Sequence, residues 1–142
     1  LTKSLALDLA PHGITVNAFA RAALDPPVVL VCLDHDTHSH ELLASGDADA
    51  FCVNVLAADQ QPVGEHFAGM ADLDEPFAGT HAASTGAPVF EGALAYVDCT
   101  VHSSFAVGDH TVYVGEAADA DVLDDATDPL TFFRGEWGGR PR

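Results

Sequence analysis

Polar and apolar residues alternate near the start of the chain and then give way to an unbroken apolar run. Thr15, Asn17 and Phe19 occupy every second position, which predicts an exposed strand edge that faces a ligand. Asp25-Pro26-Pro27 stops this strand, because each proline fixes φ and removes a hydrogen-bond donor. The apolar run from Val28 to Leu33 predicts a buried strand. We therefore expect strand, turn and strand in this segment.

Three further segments have the pattern of short helices. Residues 1–12 place leucine and alanine side chains on one face and are followed by helix-breaking glycine. A second helix lies in HDTHSHELLASGD, with Thr37 or Ser39 as its N-cap and Gly46 at its end. The third helix is QQPVGEHFAGM, with Pro62 in its first turn.

The remaining apolar runs predict strands separated by turns. Residues 70–88, rich in Ala, Gly, Asp and Pro, are expected to form a long loop, and Gly138–Arg142 are expected to fray. Pro129 opens a short turn or helix in the tail. Val107-Gly108-Asp109 predicts a hairpin turn. The strands are expected over Ala50–Ala57, Val89–Phe105 and His110–Val122. Many strands with few helices predict a mainly β (α+β) fold, an antiparallel barrel with helical decorations.

The length of 142 residues fits one domain with a substantial core. No run of 18 apolar residues occurs, so no membrane partner is expected. The first residues are too broken by Asp8 to form a secretory signal. A cytoplasmic protein is the resulting expectation.

Acidic residues dominate the charge of the chain. It has 22 Asp and Glu against five Lys and Arg, a formal net charge of −17. A field of this sign repels nucleic acid and anionic membranes, so neither is an expected partner. The acids are spread between hydrophobic elements rather than gathered in a tail. Because the Debye length falls to ~3 Å at molar salt, this pattern indicates a halophilic protein with an acidic surface.

The cysteines and the clustered histidines do not have the sequence spacing of a metal site. Cys32, Cys52 and Cys99 are isolated within apolar runs, which predicts three buried strand cysteines without a disulfide framework. His35, His38 and His40 fit poorly on one helical face, and no second cluster completes a site. No metal is expected.

Several motifs in register carry a resemblance to a known family. GITVNAFARAALDPPVVLVC, FCVNVLAADQ, HFAG, TGAPVFEGALAYVDC, GDHTVYVGE and DPLTFFRGEW occur in the order of the flavin reductase-like family and cover about nine-tenths of the chain. The resemblance implies an antiparallel split β-barrel of the FMN-binding type with short helices, and a homodimer. It also implies non-covalent flavin, reduction by NADH or NADPH, and a partner monooxygenase that takes the reduced flavin.

The resemblance assigns cofactor contacts to two segments. In the first, Thr15, Asn17, Ala18 and Phe19 border the flavin ring, where strand backbone and the Asn17 amide can donate and accept hydrogen bonds. Phe19 is as compatible with the core as with the cofactor wall. Arg21 either pairs with phosphate or obstructs the pocket.

The second segment consists of Thr37, His38 and Ser39, which align with the flavin-phosphate loop. A helix N-terminus attracts anions, and both hydroxyls can equally serve as caps. His38 would add a proton-dependent positive charge.

A third motif is Gly108-Asp109-His110, which the resemblance links to nicotinamide binding or hydride transfer. His110 would contact the nicotinamide, and Asp109 would orient the imidazole. An ordinary hairpin turn is the alternative, because Gly-Asp supports one by itself.

Two departures from the family pattern affect the expected site. Ala20-Arg21-Ala22-Ala23 replaces small hydroxyl residues. Residues 1–18 resemble a short-chain dehydrogenase segment, although the dinucleotide loop and the Tyr-x-x-x-Lys of that family are absent. We therefore expect an atypical segment over 1–12 that lacks the family's first strand, a split-barrel domain over 13–137, and a tail over 138–142.

The leading hypothesis is an NAD(P)H-dependent flavin reductase that prefers FMN, with FAD as the other candidate. The alternatives are a flavin-binding module without turnover and a structural remnant that binds neither cofactor.

Overall fold

A computed structural model describes residues 3–7, 12–16, 19–133 and 135–139. The described chain is mainly β, as predicted, with two short α-helices and one 3₁₀ turn at Ala58–Gln60. The helices are α1 (His38–Ser45) and α2 (Gln61–Phe67). The strands are β1 (Lys3–Leu7), β2 (His12–Val16), β3 (Phe19–Leu24), β4 (Pro27–Asp34), β5 (Ala50–Val55), β6 (Thr80–Ala82), β7 (Pro88–Phe90), β8 (Ala95–Val107), β9 (His110–Val122), β10 (Leu130–Phe133) and β11 (Glu136–Gly139).

Seven strands form one antiparallel sheet in the order β2-β1-β5-β8-β9-β4-β3. Its two edges, β2 and β3, are separated in the chain by residues 17 and 18 alone. Three Cα–Cα steps span at most about 11 Å, whereas the edges of a flat seven-stranded sheet lie about 29 Å apart. The sheet must therefore curl until its edges approach each other. This confirms the barrel-like architecture expected from the resemblance.

The core lies inside the curl and draws on strands β4, β5 and β9. Val29, Val31 and Leu33 alternate with less buried residues along β4, as a strand with one inward face requires. Phe51 of β5 and Tyr113 of β9 pack against them and are almost completely buried.

The other face of β5 is covered as well, which explains why nearly every residue of this strand is buried. The Asn54 amide donates to the Pro88 carbonyl at 3.1 Å and accepts from the Phe90 N–H at 3.0 Å. The buried carboxylate of Asp98 accepts from the Thr85 hydroxyl at 2.6 Å. These bonds satisfy the buried polar groups and attach residues 83–90 to the outside of the sheet.

The expectation of a helix over residues 1–12 is wrong for the part that the structure describes. Lys3–Leu7 form β1, which pairs with β2 on one side and β5 on the other. Strand β1 therefore sits inside the sheet, and the expected lack of a strand before Gly13 is also wrong. Alternating residues in KSLAL fit a strand as well as a helix, and tertiary pairing decided between them.

Most of the predicted turns and helices are confirmed. A turn at Asp25-Pro26 joins β3 to β4, and Gly108 with φ of 59° lies in the tight turn between β8 and β9. Helix α2 has its proline in the first turn. The backbone carbonyl of Asp49, just before β5, accepts a hydrogen bond from the Val101 N–H of β8.

Three boundaries differ from the expectation. Strand β8 begins at Ala95, because Glu91-Gly92 form a turn that separates the short strand β7. The expected loop over 70–88 contains β6, which pairs with β7. In the tail, β10 pairs with β11, so Gly138 and Gly139 do not fray. Residues 140–142 lie outside the described residues.

The cysteines follow the prediction in part. Cys52 and Cys99 are buried and Cys32 is half-buried, all as free thiols. Burial raises the pKa of the Cys52 thiol, and it raises the pKa of Cys99 to about 12. Among the described residues, no helix is long and apolar enough to cross a membrane.

Gly115 marks the closest approach of β9 to the core. A Cβ at this position would lie 2.5 Å from Phe51 Cζ and 2.9 Å from Cys99 Cβ. We predict that Gly115→Ala lowers the free energy of unfolding by about 1–3 kcal/mol, because the packed ring must move. Urea unfolding in molar KCl measures this change. Gly79→Ala is the matched control, since its Cβ would meet nothing within 4 Å. Equal stability of the two variants would contradict the packing described for Gly115.

Candidate functional site

The pairing of β4 with β9 brings two separately predicted motifs to one end of the sheet. Asp34, the last residue of β4, lies opposite His110, the first residue of β9. The His35 N–H donates to the Asp109 carbonyl at 2.9 Å. Asp34 and Asp109 each place a carboxylate oxygen here and His110 places an imidazole nitrogen, and these three atoms lie within 4.8 Å of one another. The structure thus joins the Gly-Asp-His turn to the start of α1; we call residues 34–41 and 108–110 together the α1 pole.

Thr37 is the N-cap of α1, which confirms one of the two predicted capping positions. Its hydroxyl donates to the Asp34 carbonyl at 2.8 Å and accepts from the His40 N–H at 3.2 Å. Because the only hydroxyl proton is committed to Asp34, the Thr37 side chain has no proton left for an anion. Gly46 ends the helix with φ of 81°, as predicted.

Ser39, in the first turn of α1, is completely buried. Its Oγ has no hydrogen-bond partner among the described residues. A buried hydroxyl without a partner costs about 1–3 kcal/mol, so such a group in a native fold indicates a role. A phosphate held at the α1 N-terminus fits this hydroxyl and the polarity of the helix end.

His38 lies beside a carboxylate on the exposed side of the helix. Its Nδ1 is 3.4 Å from Glu41 Oε2, one turn along α1. The contribution of His38 to phosphate binding stays a prediction.

Asp109 and His110 form a hydrogen-bonded pair, with His110 Nδ1 2.7 Å from Asp109 Oδ1. The hydrogen bond to His110 and the charge of the imidazole lower the pKa of Asp109. Since an ionised carboxylate only accepts hydrogen bonds, Nδ1 carries the proton. Asp109 therefore sets the tautomer and orientation of His110, which is the arrangement predicted for the pair; their catalytic role remains a prediction.

Two histidines that the sequence analysis assigned to no site also lie at the α1 pole. The rings of His35 and His40 are 4.8 Å apart. His35 Nε2 is 2.9 Å from the Thr111 hydroxyl oxygen, and His40 Nδ1 is 2.7 Å from that of Tyr113. His35 precedes the helix, so helical spacing could not indicate that its ring contacts His40. The pairing of β4 with β9 brings these residues together, and the sequence did not show that pairing.

The first predicted cofactor segment is described by its backbone only. Thr15 lies on β2, and Phe19 and Arg21 lie on β3. Asn17 and Ala18 lie outside the described residues. The pairing of β3 with β4 shifts register between Arg21 and Ala23, which leaves Ala22 as the extra residue of a β-bulge. Strand β2 passes close to α1 and β4, so the segment approaches the α1 pole. The flavin contacts of these five residues stay predictions.

Comparison with known proteins agrees with this geometry. The model of the flavin reductase like domain family matches residues 5–139. An NADH-dependent flavin reductase of a Rhodococcus species is 38% identical over 126 residues, which cover 89% of this chain and 68% of the relative. The flavin-dependent monooxygenase reductase subunit HsaB of Mycobacterium tuberculosis is 39% identical over 136 residues, which cover 93% of this chain and 70% of the relative.

A solved structure extends the likeness to the whole fold. The crystal structure of BorF, the flavin reductase component of a bacterial two-component tryptophan halogenase, superposes with a TM-score of 0.87 at 33% identity. The superposition covers 99% of this chain and 90% of BorF. The chain belongs to the flavin reductase-like domain family.

The two hydroxyls of α1 are expected to respond differently to removal. Thr37→Ala deletes a cap and should lower the free energy of unfolding by about 1 kcal/mol. Ser39→Ala removes a buried hydroxyl without a partner and should leave the stability of the ligand-free protein unchanged or raise it. Urea unfolding of both variants in molar KCl, without nucleotides, measures the difference. An equal loss in Ser39→Ala would contradict the unpartnered state of its Oγ.

Proposed function

We propose that the protein is an NAD(P)H-dependent flavin reductase that transfers hydride from a reduced nicotinamide to FMN. The supporting observation is the α1 pole, where the Asp109–His110 pair adjoins the helix end that carries Ser39. Relatives named as NADH-dependent flavin reductases support the activity.

The α1 pole also bears on the choice of cofactors. One helix N-terminus offers one place for a phosphate, which suits the single phosphate of FMN and makes FAD the second candidate. The chain has no Lys or Arg from Ala22 to Phe133. A 2′-phosphate usually requires a nearby cation, so we propose NADH rather than NADPH.

The flavin supplies the hydride acceptor when bound, and the protein supplies binding and orientation. Ser39 and the first turn of α1 would hold the phosphate, and Thr37 keeps that turn in place. Asp109 holds the His110 imidazole in one tautomer, so that it presents a fixed polar group to the nicotinamide. No side chain has to transfer a proton for the hydride to move.

The activity test uses the full chain with NADH and FMN in molar KCl. We expect NADH oxidation that requires added flavin, together with bleaching of flavin absorbance. His110→Gln should lower the turnover by about tenfold or more, because the nicotinamide loses an orienting group. His81→Gln, an exposed histidine on β6, is the matched control and should keep the wild-type rate.

The outcomes separate the candidates. Quenching of FMN fluorescence without NADH consumption would indicate a flavin-binding module without turnover. The exposed methyl groups of Ala20 and Ala22, beside the bulge of β3, favour that alternative, since they offer no hydroxyl to the flavin. The absence of both signals at every salt concentration would contradict either function.

We propose further that reduced flavin passes to a partner monooxygenase in the cytoplasm. The names of HsaB and BorF describe reductase subunits or components of two-component systems. Release of reduced flavin to such a partner would make flavin a substrate rather than a permanent cofactor.

The edge of β8 supports a homodimer. Among the described residues, Ser103–Val107 pair only with β9, and all five are exposed. Phe105 and Val107 are 54% and 55% exposed. No Asp or Glu occurs between Asp98 and Asp109 in a chain of net charge −17. Two copies can therefore approach along this neutral edge with the least repulsion. An unpaired strand edge also favours pairing with another chain.

The acidic surface supports halophilic adaptation. Asp98 is the single buried acid among the described residues, so the remaining described carboxylates are at least partly exposed and repel one another. Salt screens this repulsion both within a subunit and between two copies.

One experiment tests the dimer and its salt requirement. Size-exclusion chromatography with light scattering should give a dimer in molar KCl, with a higher thermal midpoint than in low salt. Phe105→Asp should give a folded monomer, because it places a charge on the neutral edge. Val122→Asp is the matched control: Val122 is 66% exposed at the far end of β9, and the dimer should persist. A dimeric Phe105→Asp would contradict this interface, and a salt-independent midpoint would contradict halophilic adaptation.

A further inference from the structure

Permanent positive charge is absent from most of this chain, including all described side chains of the α1 pole. The five basic residues are Lys3, Arg21, Arg134, Arg140 and Arg142. Four of the eight histidines, in contrast, lie at the α1 pole: His35, His38, His40 and His110. A phosphate that binds at the start of α1 therefore meets imidazoles as the titratable source of positive charge.

The four histidines differ in whether the chain already neutralises a proton on them. His38 lies beside Glu41 and His110 is bonded to Asp109. His35 and His40 are bonded instead to the hydroxyls of Thr111 and Tyr113. A hydroxyl can donate to a neutral imidazole or accept from a protonated one, so these bonds survive either state. His35 and His40 can thus carry a charge that no directly bonded carboxylate cancels.

The groups around the His35–His40 pair set the direction of its response. The 4.8 Å contact between the two rings disfavours a proton on both at once, because like charges repel. The titratable groups on the elements that meet here are Asp34 of β4, Asp36 of the loop, His38 and Glu41 of α1, and Asp109, His110 and Tyr113 of β9 and its turn. Strand β2 also passes close to α1 and carries His12, whose side chain lies outside the described part. A dianion at the pair would relieve the repulsion between two protonated rings.

A second observation, independent of the histidines, points to an anion at this helix end. The Ser39 hydroxyl is buried in the first turn of α1, and the part of the chain that the structure describes offers it no hydrogen-bond partner. The helix N-terminus adds partial positive charge in the same turn. His40 follows Ser39 directly, and the tilted rings of His35 and His40 lie 4.8 Å apart, so the three residues share one small region.

We propose that the His35–His40 pair takes up a proton when a nucleotide phosphate binds at the N-terminus of α1. The proposal rests on the proposed function and adds a consequence: phosphate affinity falls as the pH rises through the histidine range. The protonated pair attracts the anion, so the affinity is highest below the ordinary histidine pKa of about 6.5. Arg21 cannot produce this dependence, because a guanidinium does not titrate near neutral pH.

The test compares ligands that differ only in phosphate. Histidine NMR titrations are recorded in KCl for the protein alone, with riboflavin, with FMN and with sulfate. FMN and sulfate should raise the midpoints of His35 or His40 by about half a pH unit or more, and riboflavin should not. The FMN to riboflavin affinity ratio should rise about threefold to tenfold per pH unit as the pH falls from about 8 to 6.5.

Variants separate the pair from the titration of the FMN phosphate itself, whose second pKa lies near 6. His35→Gln and His40→Gln should weaken the pH dependence of the FMN to riboflavin affinity ratio, while His81→Gln and Arg21→Gln should leave that pH dependence unchanged. The same affinity comparison is made between NADH and reduced nicotinamide riboside, which lacks the dinucleotide phosphates. A shift with FMN assigns the site to the flavin phosphate, and a shift with NADH alone assigns it to the nicotinamide nucleotide; both support the proton uptake.

Three results would overturn the proposal. The first is that neither FMN, NADH nor sulfate changes the titration midpoints of His35 and His40. The second is an FMN to riboflavin affinity ratio that does not depend on pH. The third is a pH dependence of this ratio that persists in both His35→Gln and His40→Gln. A protein that reduces flavin with unmoved midpoints keeps the proposed function and loses the proton uptake. A protein whose histidines respond to sulfate but which binds no flavin keeps the anion site and loses the proposed function.

Discussion

The antiparallel ladder between β4 and β9 is the constraint on which the rest of the structure depends. Its inward residues, from Val29 to Tyr113, form the centre of the core. Its end places Asp34 opposite His110 and thereby joins the hairpin turn to α1. Because side chains in a strand alternate between faces, a shift of one residue would turn the core outward and separate the two halves of the site. Stability and site geometry consequently depend on the same register.

Charge is the second constraint, and its negative sign acts against both the compact fold and the approach of an anion. Mutual repulsion within a chain of net charge −17 opposes folding at low salt, and the proposed function requires the same chain to attract anionic nucleotides. The α1 pole contains the elements for such attraction without a permanent cation among its described side chains: a helix end, a buried hydroxyl and four histidines. Weak, adjustable attraction would suit the proposed release of reduced flavin, because a tightly held product would not reach a partner.

The success of the sequence analysis followed the range of the interactions involved. Thr37 as the cap, Gly46 as the helix end and the turn at Gly108 were predicted correctly, because each depends on neighbours within a few residues. The helix expected over 1–12 was wrong, since the strand state of Lys3–Leu7 comes from pairing with β5, almost fifty residues away. The paired tail at Gly138 was also missed, although its hairpin is local: Gly138 pairs with Thr131, seven residues away. Contacts at long sequence separation leave little trace in local periodicity.

The sequence by itself determined the mainly β class, the family, the local caps and turns, and the residue types of the candidate site. Tertiary structure alone decided that the Asp109–His110 pair meets the start of α1, that the His35 and His40 rings lie 4.8 Å apart, and that the buried Ser39 hydroxyl has no partner among the described residues. The physical reason is that caps and turns are hydrogen-bonded within a few residues, whereas the α1 pole exists only once β4 and β9 pair across the sheet.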